Sequence, residues 1–506
     1  MKKKNLLLLV YESDVLHILE IARVFSKKYN LYFLSCDLMS SNSNNNINLD
    51  EIKNSGIKCK ILGDFRDEIL KINLLKRYKN FSIDWNFLKK IEENFINKNI
   101  INLIFRDFSF NEVDHHRDDY FRPKNKLLKI KLIELLSKKI LKLLNIQFDL
   151  IYSGGQSNFI RNFIFEYSKF KKIKFIFPQR RIFNLTYIED SSLKYLDRYK
   201  PKNKIKYEKH EKEILKKLKN YKKIKRSEIK SYNENDKDVN FLKEICLIIL
   251  GFFKVVNYLR DHFKNRIYLF SNNLFFEKNT FFITYLKLRN AYRRKIITKI
   301  IKNQIGLARN EIQRKKYIYF PLHTIPEDGI FNIDEYQSQY NCIRQITKYL
   351  PIDYSIIVKP HPNDFIELNS IEKPSFYSKI LKLDNVFLVD YQFDHFELIK
   401  NTTAVITYNG SSALEANLLN KPSIVMSDTN YSNLKGMFNF SEKNFKIILQ
   451  NKNKTKNYFK NNIKYYSFLT KYGIKYDIID ILYPKNNFQK TEEYRNLITK
   501  LIRRYI

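Results

Sequence analysis

The chain of 506 residues carries 92 Lys+Arg against 53 Asp+Glu, a formal net charge of +39. Hydrophobic residues make up 44% and charged residues 29%, a globular composition that excludes a disordered chain. Ten Gly and 11 Pro exclude collagen-like and Pro-rich classes, and four dispersed cysteines without a CxxC exclude a disulfide scaffold or zinc ribbon and fit a reducing compartment.

The chain opens with Leu6–Val10, a short, wholly apolar run that predicts a buried strand. That run is shorter than the ~7–15 apolar residues of a signal-peptide core. The longest apolar run, Ile245 to Phe253, is far short of the roughly 20 residues that span a bilayer. The chain is therefore expected in the cytoplasm. Helical spacing follows over Val15–Lys28, then a strand at Leu31–Cys36, and this strand–helix–strand opening predicts an α/β fold with a parallel sheet. A helix is expected over Leu127–Ile146 and a strand over Asp149–Tyr152, running into Ser153-Gly154-Gly155-Gln156. A helix over Phe159–Tyr167 and a strand over Lys174–Pro178 complete the first lobe. Glycines at a strand's carboxyl end are where open α/β sheets bind ligands.

From Pro201 to Asn240 Lys and Glu dominate, which predicts exposed helix and loop; Phe241 to Asn303 is rich in aromatic and basic residues. From Tyr317 the α/β pattern resumes. Strands are expected at Tyr317–Pro321, Ser355–Lys359, Val386–Val389, Ala404–Thr407 and Ser423–Met426. The helices between them are expected at Ser338–Tyr349, Phe393–Lys400 and Ser412–Leu419. The expected organisation is a Rossmann-like lobe over 1–190, a basic helical connecting region over 191–310, and a second Rossmann-like, doubly wound lobe over 311–506 that ends in a helix.

Three segments of the second lobe carry chemistry. In Thr407-Tyr408-Asn409-Gly410-Ser411-Ser412-Ala413-Leu414-Glu415 a strand runs through glycine into a helix start. Free N–H groups and the positive dipole end suit a phosphate there. Ser412 and Glu415 also have the spacing of a capping box, which would occupy both side chains. In Val358-Lys359-Pro360-His361-Pro362 a strand delivers a cation and an imidazole that can bind a phosphate or protonate a leaving group; alternatively His361 only caps a loop. The strand at Tyr317 delivers His323, and Pro326 fixes a turn with Glu327 and Asp328, either a general base or two solvated carboxylates. Asp236-Lys237-Asp238 reads as a solvated loop. His115-His116 with Asp114, Asp118 and Asp119 lacks further ligand spacing, and no metal site and no cofactor are expected. Absence of zinc-finger spacing, of a Gly-aromatic RNA signature and of a basic heptad region argues against a nucleic-acid partner. The charge fits a solvated Lys surface, an anionic membrane surface or an acidic substrate.

These segments resemble bacterial capsule and surface-polysaccharide biosynthesis proteins, the Kdo-transferase-like glycosyltransferases of the GT-B fold. The segments are Phe320-Pro321-Leu322-His323-Thr324-Ile325-Pro326-Glu327, Val358-Lys359-Pro360-His361-Pro362 and Asn409-Gly410-Ser411-Ser412-Ala413-Leu414-Glu415-Ala416 with Lys421-Pro422. His116-Arg117-Asp118-Asp119-Tyr120 and Ser153-Gly154-Gly155-Gln156-Ser157-Asn158-Phe159-Ile160-Arg161 resemble the same group, whose members often carry Glu where Gln156 stands. Glu327-Asp328-Gly329, His361-Pro362 and Ser411-Ser412 are also similar, in that order, to motifs of bacterial sialyltransferases. The resemblance implies two Rossmann-like lobes facing a cleft. It implies a nucleotide-sugar donor, CMP-activated by the sialyltransferase likeness, on Lys359, His361, Gly410, Ser411, Ser412 and Glu415. Glu327, Asp328 and His361 become the catalytic candidates. Gly154, Gly155, Gln156 and His323 fall on the side of a saccharide or lipid-linked acceptor. It further implies a station at the inner face of the plasma membrane, which the basic segment Lys202 to Lys302, with Phe252, Phe253, Phe281 and Phe282, would contact; alternatively these aromatics pack between the lobes. The alternatives are a CDP-glycerol-type polyol-phosphate transferase and a non-catalytic basic adaptor for anionic polysaccharide or lipid.

Overall fold

The computed structural model describes residues 3–11, 14–36, 47–65, 67–68, 71–72, 74–75, 81–96, 100, 126–155, 159–180, 182–190, 211–225, 292–323, 339–362, 374–426, 429, 431–450, 457–476, 481 and 492–502. The chain divides into two compact units. One comprises Met1–Glu112, Phe121–His210 and Lys464–Ile506, and the other comprises Val113–Tyr120 and Glu211–Ile463.

The first unit is built on β1 (Lys4–Val10), β2 (Tyr29–Ser35), β3 (Cys59–Gly63), β4 (Leu150–Ser153), β5 (Lys174–Arg180) and β6 (Thr186–Asp190). They form one sheet in the order β3-β2-β1-β4-β5-β6. All neighbours are parallel except β5 and β6. Leu6 to Val10 are fully buried because helices cover both faces, which is why β1 reads as an unbroken apolar run rather than an alternation. In register, Leu8 sits between Phe33 on β2 and Tyr152 on β4.

The helix Val15–Phe25 packs its apolar side on this sheet, and the C-terminal helix Glu492–Ile502 packs beside it through Tyr494, Ile498, Leu501 and Ile502. The C-terminal segment thus joins the first unit, whereas the sequence pattern ran the second lobe through to residue 506. The joint is specific. His17 is fully buried, its Nε2 2.6 Å from the Tyr152 hydroxyl and its Nδ1 3.1 Å from that of Tyr494. Tyr494 in turn donates to the Ile481 carbonyl at 2.7 Å. Burial drives the His17 pKa from 6.5 down to about 3, so the ring is neutral.

The second unit repeats the plan with β7 (Tyr317–Pro321), β8 (Ser355–Lys359), β9 (Val386–Leu388), β10 (Ala404–Thr407), β11 (Ser423–Val425) and β12 (Met437–Asn439). The order is β12-β11-β10-β7-β8-β9, and every pair is parallel. Counted from the first strand of each unit, both sheets run 3-2-1-4-5-6, the doubly wound order. Side-chain alternation sorts the second sheet into two faces. Ile318, Phe320, Ile356, Val358, Ile406 and Ile424 meet Ile297 and Ile301, the helix Gln339–Tyr349 and the helix Glu442–Gln450. Tyr317, Tyr319, Ile357 and Val405 meet the helices Ile305–Arg314, His395–Asn401 and Ser411–Leu418. The helix over residues 211–225 belongs to this unit and buries Ile214, Leu218 and Tyr221, although its composition predicted an exposed helix. The described parts of the expected connecting region therefore pack into the second unit. No helix among the described residues is long and apolar enough to cross a membrane. Phe252, Phe253, Phe281 and Phe282, Asp236-Lys237-Asp238 and the His115-His116 cluster lie outside the described residues.

Candidate functional site

A doubly wound sheet opens a crevice at the carboxyl ends of its strands where the strand order reverses. Here that point falls between β1 and β4 in the first unit and between β7 and β10 in the second. The two crevices carry different chemistry.

In the first, Asp14 follows β1 and faces the end of β4. Its Oδ1 accepts the Tyr11 N–H at 2.8 Å and its Oδ2 accepts from Arg161 Nη2 at 2.5 Å. The Arg161 guanidinium lies over the Tyr11 ring, 5.2 Å from its centroid. Gly154 is required here, since a Cβ would run into the Asp14 carboxylate. The crevice end is thus filled by a buried carboxylate paired with its own counter-ion. Gly154 and Gly155 stand at the β4 end as expected, while Gln156 lies outside the described residues.

In the second, β10 ends at Thr407 and the chain turns through Gly410 into the helix Ser411–Leu418. Gly410 is the N-cap and no side chain caps the helix, so the N–H groups of Ser411 and Ser412 have no partner among the described residues. The capping box expected between Ser412 and Glu415 does not form: the helix starts one residue earlier, and Glu415 is engaged elsewhere. The Gly410 N–H donates to Thr407 Oγ1 at 3.2 Å, and Thr407 Oγ1 is 2.9 Å from His323 Nε2. The Gly410 carbonyl accepts from the Tyr431 hydroxyl at 3.1 Å. A Cβ on Gly410 would lie 2.8 Å from Thr407 Oγ1 and 3.0 Å from His323 Cε1, so glycine sets this approach. His323 is fixed by Gln339, whose side chain accepts the His323 N–H at 2.7 Å and donates to its carbonyl at 3.0 Å. His323, expected on the acceptor side, is therefore part of the Gly410 turn.

Lys359 ends β8 on the same face as Ile357 and is 3% exposed. Its Nζ donates to the Phe393 carbonyl at 2.6 Å. Burial lowers its pKa from 10.5 to about 8, against the opposing pull of Asp394 and Asp390. Asp394 is itself committed to the next helix, where its Oδ1 accepts the Phe396 N–H at 2.9 Å. His361 follows at Pro360-His361-Pro362, half-buried.

Glu415 projects from the helix Ser411–Leu418 and is 2% exposed. Its Oε2 accepts from His395 Nε2 at 2.5 Å and its Oε1 from the Tyr221 hydroxyl at 2.7 Å; Ser411 Oγ is 3.4 Å away. His395 Nδ1 lies 2.8 Å from the Tyr319 hydroxyl on β7. Burial alone would raise the Glu415 pKa, but the charge and hydrogen bond of His395, with Lys225 and Tyr221, carry it down to about 2. The carboxylate is ionised, so His395 donates to it through Nε2.

The structure therefore gathers Lys359, Gly410, Ser411, Ser412, Glu415 and His323 at one end of one sheet. Glu327 and Asp328 lie outside the described residues. Sequence reasoning missed His395, Tyr319, Thr407 and Tyr221. The only local signal was Asp394 three residues before Glu397, a helix-start pattern that marks His395 as the first helical residue. A depression of about 560 Å³ lies elsewhere in the unit, lined by Ser432, Lys435, Gly436, Met437, Tyr458 and neighbours, and holds no carboxylate or imidazole.

No protein-family model matches this chain, and no curated protein matches it in sequence. Among solved structures it is similar to KpsC of Thermosulfurimonas dismutans, a beta Kdo 2,7 transferase, at 14% identity and a TM-score of 0.22; the match covers 36% of this chain and 57% of that one. It is similar to HepE of Anabaena, in complex with UDP and glucose, at 10% identity over 95% of this chain and 97% of that one, TM-score 0.24. It is also similar to the UDP-GlcNAc 2-epimerase of Neisseria meningitidis bound to UDP-GlcNAc, at 12% identity over 92% and 99%, TM-score 0.22. With likenesses this distant, the chemistry is carried by the side chains themselves.

Proposed function

We propose that the second unit binds the phosphoryl end of a nucleotide-sugar and that the protein is a GT-B-type glycosyltransferase of surface-polysaccharide assembly. One observation carries the reading. A buried lysine and an uncapped helix N-terminus flank the switch point of the second sheet, whereas a carboxylate fills that of the first. An anion is favoured at a helix N-terminus by its free N–H groups and dipole, and a buried ammonium adds charge at low dielectric. The sequence resemblance supplies the chemistry beyond anion binding. Lys359, His361 and the Ser411 and Ser412 N–H groups stabilise charge on the departing nucleotide, the electrostatic contribution that is commonly largest in such transfers. Glu327 or Asp328 takes the acceptor hydroxyl proton. The donor is CMP-linked by the order of the motifs, and the acceptor is a saccharide or lipid-linked saccharide placed on the first unit.

Calorimetric titration with CMP, CDP and UDP tests this. Binding of at least one nucleotide, weakened in Ser411→Pro (a change that removes one of the two free N–H groups) and in His361→Ala, is the expected result. Absence of nucleotide binding overturns the glycosyltransferase reading. Turnover with a CMP-sugar, a UDP-sugar or CDP-glycerol then names the donor.

A further inference from the structure

The helix over residues 211–225 places Ile214, Leu218, Tyr221 and Lys225 at i, i+4, i+7 and i+11, one face of a helix. The first three are buried, and Lys225, half-buried, extends that face to its end. The Tyr221 ring meets Phe396 edge-on at 6.1 Å, and its hydroxyl reaches Glu415. The neighbouring Lys222 ammonium lies over Phe396 at 5.2 Å, so the helix is fastened to the start of His395–Asn401.

Lys225 acts electrostatically on both Lys359 and Glu415. Yet no carboxylate among the described residues lies within ion-pair distance of either lysine. Glu415 has its two oxygens taken by Tyr221 and His395, and Asp394 and Asp390, which also act on Lys359, accept the Phe396 and Gln392 N–H groups. Lys225 Nζ lies over the Tyr221 ring, 5.7 Å from its centroid, at the side chain that holds Glu415, while the carboxylate is turned onto donors of its own. Like charges that act on one another favour an anion from outside.

We propose that Lys225 is an anion-binding residue of this site, gripping a phosphoryl group together with Lys359, and that Tyr221 is a positioning residue that keeps Glu415 from pairing with them. The proposal rests on the phosphoryl-binding reading of the second unit and adds to it a residue from the basic segment. The helix over 211–225 is part of the binding site rather than a solvated connection.

The test is titration of the full chain with inorganic pyrophosphate, with CMP, CDP and UDP as a second arm. Removing a charge-assisted hydrogen bond from a buried site costs about tenfold or more in affinity. Lys225→Gln is expected to weaken pyrophosphate binding by that factor, Lys225→Arg to keep most of the affinity, and Lys223→Gln, on the exposed side, to match the unchanged chain. Tyr221→Phe is expected to weaken pyrophosphate as well, and the double change Tyr221→Phe with Lys225→Gln to be no weaker than Lys225→Gln alone, because Tyr221 acts through Lys225. Unchanged affinity in Lys225→Gln overturns the proposal, as does absence of pyrophosphate binding to the unchanged chain. If pyrophosphate binds through Lys225 and no nucleotide binds, the anion site stands and the nucleotide-sugar reading falls.

Discussion

His395 ties Glu415 to the sheet: its Nε2 donates to Glu415 Oε2 at 2.5 Å while its Nδ1 lies 2.8 Å from the Tyr319 hydroxyl. Through this chain β7, the helix His395–Asn401 and the helix Ser411–Leu418 share one polar network under the Gly410 turn. A buried carboxylate is tolerated only because every oxygen has a donor.

That satisfaction has a pH signature. The Glu415 pKa is about 2 in the folded chain against an ordinary 4.5. A depressed carboxylate contributes stability that is fully present above 4.5 and is lost as pH falls toward 2. Urea unfolding midpoints should therefore drop across that window. Glu415→Gln should cost about 1–3 kcal/mol at neutral pH, the usual penalty for disturbing a buried hydrogen-bonded charge. It should also show a shallower drop in acid. Equal acid slopes in the two proteins would remove Glu415 as the source.

Lys359 predicts the opposite edge of the pH range. With its pKa near 8, the ammonium is largely present at pH 7 and is lost as pH rises through 8. An anion bound against it favours the charged form, so binding takes up a proton near pH 8. Nucleotide affinity should decline between pH 7 and 9.5. Calorimetric heats should depend on the ionisation enthalpy of the buffer. Lys359→Met should bind about tenfold or more weakly at pH 7 and lack the pH step. A flat affinity profile in the unchanged chain removes Lys359 from the groups that hold the anion.

Gly410 tests the geometry without touching charge. Alanine there brings a Cβ to 2.8 Å from Thr407 Oγ1 and 3.0 Å from His323 Cε1. Overpacking of this kind costs about 1–3 kcal/mol and displaces the turn. Gly410→Ala should lower the melting temperature modestly and weaken nucleotide binding more than Gly155→Ala does in the other unit, where a Cβ meets nothing closer than Arg161 Nη1 at 4.0 Å. Comparable effects of the two changes on binding would argue against the second unit as the anion site.

How far the sequence reached depends on how local each signal is. Leu6–Val10 and Ala404–Thr407 were legible because a parallel strand buried on both faces must be apolar throughout. β3 and β12 were not, being edge strands of five and three residues with half-exposed side chains. The strand end at Lys359 and the helix start at Gly410 and Ser411 were legible because each is written in adjacent residues. Their partners were not: Tyr221 meets Glu415 across 194 positions and Tyr319 meets His395 across 76. Ser412 and Glu415 gave a false local signal, since the spacing of a capping box does not say where the helix begins. Nor did any local pattern say which sheet the helix Glu492–Ile502 would cover.

That helix offers the last prediction. His17, neutral and fully buried, joins the Tyr152 hydroxyl on β4 to the Tyr494 hydroxyl on Glu492–Ile502. Its pKa is about 3 in the folded chain and 6.5 ordinarily, so unfolding takes up a proton between those values. For a buried neutral histidine the linked stability is fully present above 6.5 and is lost as pH falls toward 3. The loss should appear first where the ring is held, as lower amide protection, exchange being taken relative to the intrinsic rate at each pH, in Glu492–Ile502 and in the helix Val15–Phe25 at pH 5 than at pH 7. It should do so before the second unit responds, because Glu415 does not begin to lose its contribution until below 4.5. His17→Phe keeps the ring volume but removes the bond to the buried Tyr152 hydroxyl, while Tyr494 keeps the Ile481 carbonyl, a cost of about 1–3 kcal/mol. That variant should be less stable at pH 7 and should lack the change in protection between pH 7 and 5. If amide protection in Glu492–Ile502 is the same at both pH values in the unchanged chain, His17 does not hold the C-terminal helix.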